Sequence, residues 1–118
     1  MSLHDRIQSD IAVAMRAGDG LRRDVLRMVV SAAYTIEKKQ GRPLTDDEYL
    51  AVLSREVKTR RESVEAFRGG AREDLAAKEE SEIAILAEFL PEQLSEAEIT
   101  ALVAEAMERK LLDQGSTA

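Results

Sequence analysis

Gly69–Ser95 reads GGAREDLAAKEESEIAILAEFLPEQLS. Two adjacent glycines interrupt whatever helix precedes them. Helical spacing then continues for about 19 residues until Pro91, where a ring without an N–H ends it. Ser95-Glu96-Ala97-Glu98 follows as a fresh capping box. The stretch therefore predicts a helix stop, a helix over about 71–89, a proline break and a new helix start.

Upstream, Thr45-Asp46-Asp47-Glu48 is a second capping box, and helix three runs from it to Arg68 on the apolar stripe Leu50, Leu53, Val57, Val64 and Phe67. Only about two residues join helices three and four, so the pair should fold back as antiparallel neighbours. In that register Leu53 faces Leu86, Val64 faces Leu75 and Phe67 faces Arg72. The same register sets Arg60 against Glu79. Each is a charge inside an apolar stripe, where isolation costs several kcal/mol. The expectation is a structural Arg60–Glu79 salt bridge, at least partly buried, whose loss costs about 3–5 kcal/mol if burial is complete. The competing reading turns Arg60 outward to hold a phosphate or carboxylate.

Earlier in the chain, Leu3, Ile7, Ile11, Ala14 and Met15 mark helix one, closed by Gly18. Helix two spans about 20–39 on the stripe Leu21, Val25, Met28, Val29, Ala32 and Ile36, widened by Leu26 and Ala33. Helix five carries Ile99, Leu102, Val103, Ala106 and Met107. No sustained period-2 alternation suggests a strand. The predicted fold is all-α: an antiparallel bundle of four helices over residues 1–90, then a fifth helix that begins a smaller, shortened helical part over 91–118.

The chain has 118 residues, room for one modest core. Aromatic content is 3% with no Trp, so that core must come from Leu, Ile, Val, Ala and Met. There is no cysteine, which removes thiolate nucleophiles, disulfides and Cys-ligated metals. No apolar run reaches the roughly 18 residues that span a bilayer, and the acid-bearing start MSLHDRIQSD is no secretory signal. A cytoplasmic protein without a membrane partner is the expectation.

Catalytic and metal candidates are lacking. His4 is the one histidine and has no Cys partner, so no zinc site follows. Ser31 and Ser63 lack a histidine partner for triad chemistry. Asp46-Asp47-Glu48 fits helix-start electrostatics rather than a calcium loop. Gly69-Gly70 lacks the further glycines of a phosphate-binding fingerprint. The expectation is no catalytic residue, no metal and no cofactor.

Charge is uneven. Residues 1–72 hold 14 basic and 11 acidic side chains, whereas residues 73–118 hold 3 and 12. If RNA is bound, the basic part must do it. The candidate contacts are Arg22, Arg23 and Arg27 on helix two, Lys38 and Lys39 at its end, and Arg55, Lys58 and Arg61 on helix three. Two bland readings stand beside this one: a solvated face with local glutamates such as Glu56 and Glu62, and two halves that simply attract each other.

Taken together, the chain resembles the GatB/YqeY family. That family comprises small helical YqeY-like proteins and the C-terminal tail of the GatB component of the glutamine-dependent aspartyl/glutamyl-tRNA amidotransferase. The resemblance rests on Ala14-Met15-Arg16-Ala17-Gly18-Asp19, Leu26-Arg27-Met28, Val52-Leu53 with Glu56-Val57-Lys58 and Arg60, and Phe67. Its most specific pieces are Gly70-Ala71-Arg72-Glu73-Asp74-Leu75, Lys78-Glu79 with Glu82-Ile83, and Phe89-Leu90-Pro91-Glu92-Gln93-Leu94-Ser95. It covers about residues 2–110. It implies a non-catalytic module associated with tRNA-dependent amidation, a carbon–nitrogen ligase reaction with glutamine as amido donor. The implied partner is tRNA or a tRNA-handling protein. Family members usually continue into further short helices, so helix five is expected to have an under-covered face through which the chain packs on itself or forms a homo-oligomer. The alternative from a different class is a protein–protein adaptor or self-associating scaffold without RNA contact.

Overall fold

The computed structural model describes residues 1–91, and helix five with its expected oligomer face lies outside them. Four helices follow one another: α1 (Leu3–Ala17), α2 (Gly20–Gln40), α3 (Asp46–Gly69) and α4 (Glu73–Ala87). No strand occurs among the described residues. The main contacts run between α3 and α4 and between α1 and α2. Further contacts join α2 to α3 and α4, and α1 to α3.

Local chemistry sets the boundaries. The Ser2 hydroxyl accepts from the N–H of Asp5, and Gly18 closes α1 in the left-handed region with φ 73°. Asp19 caps α2 by accepting from the N–H of Arg22. At the start of α3 the capping box is complete: Thr45 Oγ1 accepts from the N–H of Glu48, and Glu48 Oε1 accepts from the N–H of Thr45 at 2.9 Å. Arg42 grips the same carboxylate and, with the Thr45 N–H, holds its pKa down at about 2.

The turn between α3 and α4 differs in one respect from the glycine stop the sequence suggests. The residue in the left-handed region is Ala71, with φ 59°, whereas Gly70 has φ −93°. The N–H of Arg72 reaches the carbonyl of Phe67 at 2.7 Å, and that of Ala71 reaches Arg68 at 3.1 Å. These two bonds are a Schellman closure, whose left-handed position falls one residue past the glycines. The turn thus keeps its strain on a residue with a Cβ.

The core joins all four helices. Ile7, Leu26, Val29, Leu53, Val57 and Leu86 are wholly buried. Phe89 and Leu90, just beyond α4, are buried as well. On α2 the inward face is Val25, Leu26, Val29 and Ala33; Leu21, Met28 and Ile36 stand out in solvent, as does Met15 of α1. The apolar stripe of α2 is wider than the surface its neighbours cover. On α4 the inward set is Ala76, Glu82, Ile85 and Leu86, with Leu75 and Ile83 only half-buried.

Candidate nucleic-acid interface and the buried arginine

Arg60 lies on the inward face of α3 and is 5% exposed. Its partner is not Glu79. Nε donates to Glu82 Oε1 at 2.9 Å, and Nη1 donates to Glu56 Oε1 at 3.0 Å and to the Glu56 carbonyl at 3.2 Å. Nη2 points at Met28 Sδ of α2, 3.5 Å away. The predicted Arg60–Glu79 pair is therefore corrected by one helical turn. Side chains lean toward the N-terminus of their own helix. Arg60 leans back to the level of Glu56, whose carbonyl and carboxylate it also meets, and in the expected register the glutamate opposite that level is Glu82 rather than Glu79. Glu79 itself is half-buried at the edge of the seam. The cluster unites one guanidinium and two carboxylates across α3 and α4, and the outward, anion-holding reading of Arg60 does not fit it.

The eight candidate RNA contacts are not gathered on one face. Arg22 is the most committed to the protein itself. Its Nε donates to Asp10 Oδ2 at 2.8 Å, and Nη1 and Nη2 form a fork to both Glu88 oxygens at 2.8 and 2.9 Å. It ties α1, α2 and the end of α4. The hydrogen bond to Glu88 raises the pKa of Arg22, and in return Arg22 holds Glu88 below the usual carboxylate range. A cleft of about 240 Å³ opens beside this bridge, walled by Arg6, Ser9 and Phe89. The Arg6 guanidinium lies 5.6 Å from the centre of the Phe89 ring.

Arg23 pairs with Asp24 at 2.8 Å. Arg27 Nη2 approaches Met15 Sδ at 3.4 Å. Lys38 sits 5.6 Å from the Tyr34 ring centre. Lys58 pairs with Glu62 one turn on, at 3.7 Å, and Arg61 is half-buried. Lys39 and Arg55 are exposed. The outward face of α3 and the end of α2 thus keep Lys38, Lys39 and Arg55 in reach of a polyanion, while Arg22, Arg23 and Lys58 already face carboxylates.

Three features have no counterpart in the sequence pattern. The Arg22 bridge joins residues far apart in the chain, and no spacing rule reports that. Arg68 contacts both Glu73 and Glu80 across the turn. His4 Nδ1 is 2.6 Å from the Tyr49 hydroxyl, and the N–H of Leu3 donates to Asp46 Oδ1 at 3.0 Å. Tyr49 is fully buried, and burial pushes its pKa up. The last two contacts fasten the start of α1 to the start of α3. Among the described residues no group of three or more His, Cys, Asp or Glu side chains is placed to hold a metal ion, and no helix is long and apolar enough to cross a membrane.

A family model described as Yqey-like protein matches residues 4–115. An uncharacterized protein of Schizosaccharomyces pombe is 47% identical over 58 residues, covering 48% of this chain and 47% of that protein. Two proteins called altered inheritance of mitochondria protein 41, mitochondrial, are also similar. The one from Pyrenophora tritici-repentis is 31% identical over 87% of this chain and 58% of its own length. The one from Lachancea thermotolerans is 35% identical over 82% of this chain and 54% of its own length. The chain spans about half the length of these curated relatives.

Proposed function

This chain belongs to the YqeY-like protein family, and from that premise we propose that it is a non-catalytic helical module that engages tRNA or a tRNA-handling protein in support of tRNA-dependent amidation. The amidation link rests on the resemblance to the amidotransferase tail. The RNA reading is carried by one observation: Lys38, Lys39 and Arg55 lie exposed on the outward faces of α2 and α3. Phosphates attract such side chains without base readout. In this reading residues 1–90 form a four-helix antiparallel body. The setting is the cytoplasm; since two relatives carry the word mitochondrial in their names, cell fractionation is the check.

A second reading has its own observation. Val13, Met15 and Tyr34 expose about half or more of their surface on α1 and α2. Apolar groups at the surface favour a protein partner over RNA. Titrating tRNA at several salt concentrations separates the two. A phosphate interface through three cations loses affinity by roughly the third power of salt concentration, and reversing Lys38, Lys39 and Arg55 to Glu removes it. Absence of binding at low salt overturns the RNA reading and leaves the adaptor.

A further inference from the structure

Met28 of α2 is 53% exposed, yet its sulfur is set against a buried charge. Arg60 Nη2 reaches Met28 Sδ at 3.5 Å, and Arg60 itself is 5% exposed. The other two guanidinium nitrogens have oxygen acceptors: Nε donates to Glu82, and Nη1 to the carbonyl and carboxylate of Glu56. Among the described residues Nη2 makes no hydrogen bond to oxygen, and its one acceptor is a thioether, a weak one. A buried cation is thus under-satisfied on the side facing α2, where a stronger acceptor gains most.

We propose that Met28 is a site of reversible oxidation by hydroperoxides, and that its sulfoxide braces the contact between α2 and α3 instead of loosening it. The Sδ lone pair attacks the outer oxygen of the hydroperoxide. The O–O bond breaks, an S–O bond forms, and the proton of the attacked oxygen passes to the leaving one. Sulfur is oxidised to the sulfoxide, and the peroxide is reduced to water or an alcohol. The new oxygen is polar where the thioether was apolar. It accepts from Arg60 Nη2 as a charge-assisted hydrogen bond, stronger than the sulfur contact it replaces. The three rotatable bonds of the side chain let the oxygen settle at bonding distance without moving either helix.

Met15 supplies a comparison within the molecule. Its sulfur lies 3.4 Å from Arg27 Nη2, and it is 54% exposed. Arg27 is itself exposed, so its N–H groups are open to water and a sulfoxide there adds little. The same chemistry at two methionines therefore has two outcomes, set by whether the arginine is buried. Methionine sulfoxide reductases restore the thioether, which makes the brace reversible. The inference is independent of any RNA contact.

Hydrogen peroxide and a thermal melt test this. The chain has four methionines and no cysteine, so Met15→Leu with Met107→Leu leaves Met28 and the 92% exposed Met1 as the oxidisable sulfurs. Peptide mass mapping of the treated double variant should find one added oxygen on each. Its Tm should rise by about 4 °C, and treatment with a methionine sulfoxide reductase should return it. Adding Met28→Leu should remove the rise. Without any oxidant, Met28→Gln should melt above Met28→Leu, because its carboxamide oxygen offers Arg60 the same kind of acceptor. A Met28 that stays reduced while Met1 is oxidised, a Tm that holds or falls on oxidation, or an equal rise with Leu at position 28 would each overturn the proposal.

Discussion

Arg60 of α3 and Glu82 of α4 meet at 2.9 Å inside the seam between their helices, while Glu79, one turn earlier, stays at its half-buried edge. The contact fixes the hairpin, because a slip by one turn leaves the guanidinium facing a different side chain.

Removing one member of this pair leaves a buried charge with less compensation. Glu82→Gln should lower stability by about 2–3 kcal/mol, below the full cost of an orphaned ion because Glu56 still accepts from Arg60. Glu79→Gln should change stability by no more than ~0.5 kcal/mol. Urea unfolding of both variants decides the register. Equal losses would mean that Glu79 shares the pair.

Ala71 holds a left-handed conformation that glycine adopts without strain. Ala71→Gly should raise stability by about 1 kcal/mol despite the greater freedom of the unfolded chain. A thermal melt that moves upward supports this account of the turn; a downward shift contradicts it.

Glu88 is held below its ordinary pKa by the hydrogen bond from Arg22. A carboxylate with a depressed folded pKa contributes stability that is present above the unfolded value and lost as pH falls through the folded one. The natural chain should therefore lose stability below about pH 4.3, the ordinary Glu value, more steeply than Arg22→Met. With Glu88 half in solvent, the bridge is worth about 0.5–1 kcal/mol at neutral pH. Parallel stability curves for the two proteins between about pH 3 and 6 would refute the bridge.

Tyr49 is wholly buried, and its hydroxyl meets His4 Nδ1. Tyr49→Phe keeps the ring and deletes the bond, so stability should fall by about 1 kcal/mol. Amide exchange should quicken in the first turn of α1, whose Leu3 N–H is fastened to Asp46. Unchanged exchange there would show that the contact does not anchor α1.

What the sequence discloses follows from the range of each interaction. Caps act within three residues, and the Thr45 capping box closes where its spacing places it, as the equally local caps Ser2 and Asp19 do at α1 and α2. The α3–α4 turn is visible because a short connection leaves two helices little choice. The partner of Arg60 differs from the expected one by a turn, since register counts backbone positions and long side chains lean away from theirs. The inward face of α2 is narrower than its apolar stripe, because periodicity does not report how much of a stripe a neighbour covers. The Arg22 bridge joins Asp10 to Glu88, and no local pattern carries that information. The basic residues are legible as types, but which of them stay within reach of a polyanion depends on the acids that folding brings beside them.

The succession of short turns has a kinetic consequence. Neighbours in space along α1–α2 and α3–α4 are also neighbours along the chain. Low contact order of this kind goes with folding in microseconds to milliseconds. Each helical hairpin can collapse on its own, and the guanidinium of Arg22 can join them only after both have formed. Arg22 thus supplies one of the few long-range ties in a chain whose other contacts are mostly local.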